Sequence, residues 1–229
     1  MVNVSIVIPA YSMHNDGVHL LNVLLNSVYR QTYKDFEVII SDHSEDNVIE
    51  NFCRNYGKVV YVRNTGKRGS SSANVNNAIR HAKGNYIKPL FQDDFFKKDY
   101  ALTMFMDKMK THNWCACGSD QYDYDMTKPF RGRYPVINAD LRQMALGENY
   151  YGGPSCICYK KNSAINFDEN IIWLMDCELY WNLHKAYGNP GLINDLLITT
   201  RYCEKNVSNT LATKELRQKE YEYVSKKIS

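Results

Sequence analysis

The segment Gly84-Asn85-Tyr86-Ile87-Lys88-Pro89-Leu90-Phe91-Gln92-Asp93-Asp94-Phe95 opens at a glycine, continues as an apolar and aromatic run, and ends in two adjacent carboxylates. The run predicts a buried strand. Ligands of an open α/β sheet bind at the carboxyl ends of its strands, which is where Asp93 and Asp94 would lie. Paired carboxylates suit Mg²⁺ or Mn²⁺, whose other ligands are water and substrate phosphates. The alternative is that the two aspartates only cap the next helix.

Strand-like and helix-like segments alternate before this stretch. Strands are predicted at 3–9, 36–40 and 59–62, and helices near 20–28, 48–56 and 70–83. The alternation predicts an α/β fold with a mostly parallel central sheet and helices on both faces, joined by right-handed crossovers.

After the acidic pair the alternation is less regular. Helices are predicted at 98–112, 140–146, 176–187 and 213–227, and strands at 114–118, 155–159 and 196–202. Segment 120–137 is polar, aromatic and rich in turn residues, so we expect a long loop or hairpin over the sheet, of the kind that often covers a site. The chain of 229 residues is interpreted as one domain with two halves, 1–95 and 96–229.

Composition excludes several classes of protein. The net charge of +3 is too small to indicate a nucleic-acid partner, and we expect no transmembrane segment because no long uninterrupted apolar window occurs. The sequence starts without a secretory signal pattern, and its seven cysteines fit reduced thiols, so we expect a cytoplasmic protein. Two Cys-x-Cys pairs leave a zinc site as an alternative to buried packing. Composition leaves the oligomeric state undetermined.

Other carboxylates follow strand-like segments. Asp42 ends the second predicted strand, and in a parallel sheet it converges with Asp93 beside Pro9-Ala10-Tyr11. A ring-shaped base is expected to lie against Tyr11, with Asp42 accepting hydrogen bonds from it. Asp42 can also close an Asx-turn with Ser44, and the two roles are compatible.

The loop from Asn64 to Ser72 is rich in glycine and serine and leads into a helix. It matches neither the dinucleotide-binding nor the P-loop pattern of glycines. Lys67 or Arg68 is a candidate phosphate contact, and a solvated basic turn is the alternative.

These segments together resemble family 2 of the nucleotide-sugar glycosyltransferases, which have the GT-A fold with a Rossmann-like nucleotide half and a smaller acceptor half. The resemblance rests on Ser5–Tyr11, Gln31–Asp42, Ala73–Ile79 with Ala82–Ile87, and Phe91–Asp94, in that order along the chain. It covers residues 3 to 95 well and is looser beyond them.

The resemblance implies roles for individual residues. The position of Asp42 binds the nucleobase, and Asp93, the last aspartate of an Asp-x-Asp motif, binds the divalent metal with Asp94 beside it. Phe91 stands where the first aspartate of that motif usually lies, and Ser41 where an acidic residue often precedes Asp42. The full set expected to bind the nucleotide is Pro9, Ala10, Tyr11, Asp42, Arg68, Asn74 and Gln92.

The second half is similar to the family at a helix start, where Asp176 matches the catalytic base and Met175 replaces a glutamate. Glu178 is a second candidate for the base, and a solvent-facing carboxylate is its alternative. Cys203 stands where a histidine near the metal often occurs. We expect Gly153, Pro154, Trp173 and Glu178 around the sugar or acceptor pocket, together with the segment 120–137. Core packing is the alternative for Trp173.

The expected activity is Mn²⁺- or Mg²⁺-dependent, inverting transfer of a sugar from a nucleoside-diphosphate sugar to a hydroxyl of a glycan, glycoprotein or lipid-linked sugar. Two other classes remain open. A binding module for nucleotide sugars or glycans would release no nucleoside diphosphate, and a nucleotidyltransferase would release pyrophosphate instead.

Overall fold

The computed structural model describes residues 2–13, 16–202 and 212–229 of the chain. In these residues nine strands form one sheet, and seven α-helices pack against it. The strands are β1 Val4–Ala10, β2 Phe36–Asp42, β3 Val60–Arg63, β4 Tyr86–Pro89, β5 Phe95–Phe96, β6 Trp114–Asp123, β7 Pro129–Arg133, β8 Ile157–Lys160 and β9 Gly191–Tyr202. The helices are α1 Gly17–Tyr29, α2 Val48–Tyr56, α3 Ser71–His81, α4 Ala101–Met109, α5 Leu141–Ala145, α6 Met175–Tyr187 and α7 Lys214–Ile228.

The sheet has two regions with different strand directions. Its order is β3-β2-β1-β4-β8-β6-β9-β5, with β7 paired to β6. Strands β3, β2, β1 and β4 are all parallel, as the alternation of strands and helices predicts. Beyond β4 the sheet is mixed, since β8 runs antiparallel to both β4 and β6 while β6 and β9 are parallel.

Apolar residues are buried on both faces of this sheet. On one face, alternate β1 residues such as Ile6 and Ile8 pack with α1, α2 and α4. On the other face, Val7 of the same strand packs with residues of α3, α6 and α7. Side chains alternate across a strand, so one apolar run supplies both layers. The predicted α/β architecture with helices on both faces is confirmed.

The strand before the acidic pair is shorter than the sequence suggests. Strand β4 ends at Pro89, and residues 90–94 leave the sheet in a turn in which the N–H of Asp94 donates to the carbonyl of Phe91 at 2.9 Å. The short strand β5 follows, and α4 begins only at Ala101. Asp93 and Asp94 therefore do not cap a helix, and that alternative is wrong.

Segment 120–137 forms a hairpin rather than an irregular loop. Strand β6 continues to Asp123, and β7 returns antiparallel to it with Ser119 opposite Arg133. Strand β9 pairs with β6 and begins at Gly191, earlier than the predicted 196. Most of the added residues of β6 and β7 are polar or exposed, so hydrophobicity alone does not identify these two strands.

The last helix, α7, packs on one side against the second layer, as expected for a charged surface helix. It buries only Glu220 and Val224 within its described span. In the part of the chain that the structure describes, no helix has the length and apolar character needed to cross a membrane.

Candidate active site

A cleft of about 1090 Å³ lies at the carboxyl ends of β1 and β4, bounded by β6, β9 and the start of α6. Ten of the residues singled out from the sequence line it: Pro9, Tyr11, Asn74, Gln92, Asp93, Asp94, Gly153, Pro154, Trp173 and Asp176. Four others do not: Ala10, Asp42, Arg68 and Glu178. The fold thus gathers residues from positions 9 to 176 around a single cleft.

Gln92 joins the acidic loop to the end of β1. Its side-chain oxygen accepts the N–H of Tyr11 at 2.9 Å, and its Nε2 donates to the carbonyls of Tyr11 at 3.0 Å and Gly17 at 2.9 Å. The amide therefore satisfies both backbone groups of Tyr11, whose ring is 45% exposed on the cleft wall. We infer that Gln92 acts by fixing this wall.

Asn74 has a similar positioning role from the first turn of α3. Its Nδ2 donates to the carbonyl of Ala10 at 3.1 Å, and its Oδ1 accepts from Ser41 Oγ at 2.7 Å. Ser41 stands where an acidic residue was expected, and it serves as a donor to the asparagine. Ala10 itself is buried in the core and contributes only backbone to this corner.

The carboxylate of Asp42 is buried behind the cleft wall. It accepts from the N–H of Ser44 at 2.8 Å and from Tyr61 Oη at 2.8 Å, and it pairs with Arg63 at 3.2 Å. The Asx-turn with Ser44 is thus present, whereas the expected meeting of Asp42 with Tyr11 and Asp93 at the surface is not. The next residue, His43, lines the cleft in its place.

The basic residues of the loop before α3 point away from the cleft. Arg68 forms an exposed ion pair with Glu45, and Lys67 donates to the carbonyl of Glu169. Gly69 and Ser71 of the same segment line the cleft. The prediction of Arg68 as a phosphate contact has no support in this geometry, because its charge is already paired at the surface.

Asp93 and Asp94 form the acidic floor of the cleft. Burial raises the pKa of Asp93, and the neighbouring Arg201 guanidinium opposes that rise. The pKa of Asp94 is raised well above its ordinary value by burial and then by the charge of Asp93, while a hydrogen bond with Ser155 opposes that rise. Two carboxylates held side by side against repulsion favour a cation between them and the ligand.

These two aspartates fit a divalent metal of the Mg²⁺ or Mn²⁺ type. Such ions are commonly held by one or two carboxylates, with waters and substrate phosphates as the remaining ligands. Among the described residues no group of three or more His, Cys, Asp or Glu side chains is arranged to hold a metal. The zinc alternative for the Cys-x-Cys pairs therefore has no support in this part of the chain. Cys203 lies outside the described residues.

Asp176 lies on the opposite wall, in the first turn of α6. Its Oδ2 accepts from Asn149 Nδ2 at 2.6 Å, and its Oδ1 accepts from the N–H of Cys177 at 2.8 Å. Burial raises the pKa of this carboxyl, and the Arg133 guanidinium acts in the opposite direction. A raised pKa brings a carboxylate closer to the range useful for a general base.

Glu178 does not share this wall, so its assignment as a second base is wrong. It is fully buried, pairs with Lys227 of α7 at 2.5 Å and accepts from Asn182 at 2.9 Å. An α-helix turns about 100° per residue, so a side chain two positions after Asp176 points roughly the opposite way. Its alternative, a solvent-facing carboxylate, is also wrong, because Glu178 anchors the last helix.

Trp173 lies at the rim of the cleft, half-buried, with the guanidinium of Arg217 over its ring at 4.9 Å from the centroid. Gly153 and Pro154 line the cleft where a short 3-10 turn, Pro154–Cys156, precedes β8. Ser155 of that turn accepts the N–H of Phe91 at 2.9 Å, which ties the acidic loop to the second half.

Ser119, Thr200 and Arg201 line the cleft and were not singled out by sequence reasoning. Gln121, Arg131 and Arg133 also line it, and they lie in segment 120–137, which was expected beside the acceptor pocket without individual roles. These six residues come from β6, β7 and β9, whose pairing is not visible in the chain order. The alternation of Arg131 and Arg133 around a glycine was a usable signal, since residues i and i+2 of a strand share a face.

Comparison with known proteins gives a consistent result. Residues 5–168 match the model of the family described as Glycosyl transferase family 2. An uncharacterized glycosyltransferase of Rickettsia prowazekii is 30% identical over 221 residues, which is 90% of this chain and 66% of that protein. An uncharacterized glycosyltransferase of Rickettsia typhi is 26% identical with the same two coverages.

Solved structures show the same fold at low sequence identity. The complex of S. aureus TarS 1-349 with UDP-GlcNAc superposes with a TM-score of 0.74 at 15% identity, covering 99% of this chain and 66% of that one. A mannosyltransferase of Pyrobaculum calidifontis, solved with GDP-Man and Mn²⁺, gives 0.61 at 15% identity, covering 87% and 56%. The chain thus spans less than two thirds of the length of these proteins, and the likeness to the two structures concerns the fold alone.

Proposed function

The chain belongs to glycosyl transferase family 2, and on that premise we propose that it transfers a sugar from a nucleoside-diphosphate sugar to a hydroxyl group of an acceptor, with inversion at the anomeric carbon. One observation carries the proposal. Asp93 and Asp94 line the same cleft as Asp176, from the turn after β4 and from the first turn of α6 respectively. Residues 1–95 would hold the nucleotide and residues 96–229 the acceptor.

The proposed reaction needs a base on the acceptor side. The acceptor oxygen attacks the anomeric carbon as the bond from that carbon to the diphosphate oxygen breaks. The acceptor proton passes to the Asp176 carboxylate, and the nucleoside diphosphate leaves with the bonding electrons. Asn149 and the N–H of Cys177 hold both oxygens of Asp176, so the carboxylate is oriented before the acceptor arrives.

Asp93 and Asp94 would hold Mn²⁺ or Mg²⁺ together with the donor diphosphate. When bound, such an ion stabilises the negative charge that develops on the leaving phosphate. Arg201, whose charge already opposes the raised pKa of Asp93, lies on the same side of the cleft. Pro9, Tyr11 and Asn74 would border the nucleoside, and Gly153, Pro154 and Trp173 the sugar or acceptor.

The competing function is a nucleotide-sugar or glycan binding module without turnover. The observation that favours it is Phe91, which stands where the first aspartate of the acidic motif usually lies. A glycan, glycoprotein or lipid-linked sugar remains the proposed type of acceptor. Nucleotidyl transfer is the third candidate and differs in its product, pyrophosphate.

The deciding experiment incubates the protein with Mn²⁺ and a panel of UDP- and GDP-sugars, and measures both thermal stability and free nucleoside diphosphate. A donor that binds the folded state raises the unfolding temperature, because ligand binding adds RT ln(1 + [L]/Kd) to the stability. We expect one donor class to be stabilising and to release nucleoside diphosphate. Asp93→Asn should lose the Mn²⁺-dependent rise in unfolding temperature and the Mn²⁺-dependent release of nucleoside diphosphate. Asp125→Asn, which changes an exposed aspartate outside the cleft, should retain both.

Stabilisation without release of nucleoside diphosphate, even when acceptor sugars are added, would favour the binding module. Release of pyrophosphate from nucleoside triphosphates would favour nucleotidyl transfer. No Mn²⁺-dependent response to any donor would contradict the proposal.

A further inference from the structure

Two arginines of the β6–β7 hairpin face the cleft on the side of the proposed base. Arg131 and Arg133 both line the cleft. They are two positions apart in β7, so their side chains leave the same face of the strand. Opposite them on β6, Ser119 and Gln121 also line the cleft, which fixes this face of the hairpin as the inner one.

Neither guanidinium is held by a hydrogen bond or an ion pair within the described part of the chain. Arg131 and Arg133 form no side-chain hydrogen bond or ion pair with any residue in the ranges 2–13, 16–202 and 212–229, and both are exposed. Two guanidinium groups on one face of a strand repel each other weakly at the surface, and an anion bound between them would offset that repulsion. Arginine presents its donors as a planar fork that matches phosphate oxygens.

Arg133 of β7 and Arg201 of β9 act on different carboxylates of the cleft. The charge of Arg133 acts on Asp176, whereas the arginine that acts on Asp93 is Arg201. The cleft therefore has two cationic positions, one beside the acidic floor and one beside the base. The acceptor hydroxyl must reach Asp176, so a group bound by Arg133 belongs to the acceptor.

The outer face of the same hairpin is apolar and packs against β9. Phe130, 56% exposed, contacts Tyr202 edge to face with ring centroids 5.6 Å apart. Gly132 leaves room for the side chain of Leu196, which a Cβ atom there would meet at 3.3 Å. The outer face thus packs on β9 and holds the arginine face toward the cleft.

We propose that Arg131 and Arg133 form a phosphate-binding subsite, so that the acceptor is a phosphorylated sugar or polyol whose phosphate lies near the hydroxyl that reacts. This inference rests on the proposed function and adds the chemical class of the acceptor. A sugar or polyol without an anionic group would give neither arginine a charge-assisted hydrogen bond.

The test compares matched probes with and without phosphate: ribitol 5-phosphate with ribitol, and sn-glycerol 3-phosphate with glycerol. Each is titrated into the full chain in the presence of Mn²⁺ and saturating UDP or GDP, whichever the donor panel selects. The bound nucleotide occupies the donor phosphate position, so a probe phosphate can report only on another site. We expect each phosphorylated probe to bind at least about tenfold tighter than its neutral partner, because charge-assisted hydrogen bonds supply this difference.

The variant for this test is Arg131→Gln/Arg133→Gln, with Arg142→Gln as the matched control, since Arg142 is an exposed arginine outside the cleft. The double variant should lose the preference for phosphate, keep its affinity for the nucleotide and keep its unfolding temperature. Added salt should weaken the binding of the phosphorylated probes and leave the binding of the neutral probes unchanged, because exposed charges are screened.

Equal binding of phosphorylated and neutral probes would overturn the proposal, as would an unchanged preference in the double variant. If the affinity ratio of glucuronate to glucose exceeds the ratio of each phosphorylated probe to its neutral partner, the two arginines bind carboxylates and not phosphates. Loss of nucleotide affinity in the double variant would place them in the donor site. If no nucleoside diphosphate is released from any donor while the phosphate preference is present, it is the transfer function that fails and not the subsite.

Discussion

Glu220 accepts a hydrogen bond of 2.9 Å from the backbone N–H of Trp173, although the two residues are 47 positions apart. The same carboxylate also accepts the N–H groups of Ile172 at 2.7 Å and Leu174 at 3.0 Å. These amides lie just before α6, where a helix has unsatisfied N–H groups and a partial positive charge. A carboxylate from the last helix thus fixes the segment that leads directly to Asp176.

We predict that Glu220→Gln lowers kcat and leaves the affinity for the nucleotide nearly unchanged. The amide of glutamine keeps one acceptor oxygen, but its NH₂ group faces backbone N–H donors and repels them. The start of α6 therefore shifts, and the Asp176 carboxylate shifts with it. Leaving buried donors unsatisfied should also cost about 1–3 kcal/mol of stability. Initial rates and chemical denaturation measure the two effects.

The control for that experiment is Glu222→Gln on the same helix, because Glu222 is exposed and contacts only the side chain of Gln218 among the described residues. A Glu220→Gln protein that loses stability but keeps its kcat would show that the carboxylate only anchors α7.

Asp176→Asn should remove most turnover without weakening donor binding. Its Oδ1 and Oδ2 contacts with Cys177 and Asn149 can be partly kept by the amide, but the amide cannot accept the acceptor proton. General-base contributions are about 10²- to 10⁴-fold, so kcat should fall in that range. The nucleotide Kd, measured by titration with Mn²⁺, should stay within about twofold because donor binding does not use this carboxylate.

A matched comparison is Asp168→Asn, which changes a carboxylate that pairs with Lys227 outside the cleft. If Asp176→Asn and Asp168→Asn reduce kcat equally, the base role of Asp176 is contradicted.

The pH at which kcat falls on the acid side of its pH profile should depend on the burial of Asp176. Burial raises the pKa of this carboxyl, with Arg133 opposing the rise. A base works only when deprotonated, so kcat should increase with pH through a value above the ordinary aspartate pKa of about 4. Arg133→Gln removes the opposing charge and should move this fall in kcat to still higher pH. A fall that shifts to lower pH in Arg133→Gln would contradict the placement of this arginine beside the base.

His184 makes the stability of the second half depend on pH. Its Nε2 lies 3.0 Å from Tyr151 Oη, its ring packs edge to face on Trp114, and burial lowers its pKa to about 4. The unfolded chain, with an ordinary histidine pKa near 6.5, takes up the proton first as the pH falls. The contribution is therefore fully present above about pH 6.5 and is lost as the pH falls toward about 4.

His184→Gln should unfold at a temperature that changes less between pH 7 and pH 5 than that of the unmodified protein. His19→Gln, which changes an exposed histidine, is the control and should retain the full pH dependence. Parallel curves for His184→Gln and the unmodified chain would show that another group causes the acid sensitivity.

The sequence by itself determined the parallel half of the fold and the residues at its carboxyl edge. Apolar strands alternate with amphipathic helices up to Pro89, and β1, β2 and β3 lie side by side in the sheet in chain order, with β4 added beside β1, so local pattern and topology agree there. Asp93 was accessible in this way because it follows a strand, whereas Asp176 was matched through the resemblance to the family.

Only the tertiary structure decided which charges reach the cleft. Asp42 is withdrawn by Tyr61 and Arg63, and Glu178 is turned away from Asp176 by the pitch of α6 and held by Lys227. Arg131 and Arg133 become cleft residues only once β6 pairs with β7 and β9. These outcomes depend on contacts between segments that are distant in the chain. A local pattern of residues does not show which polar side chains such contacts will bury.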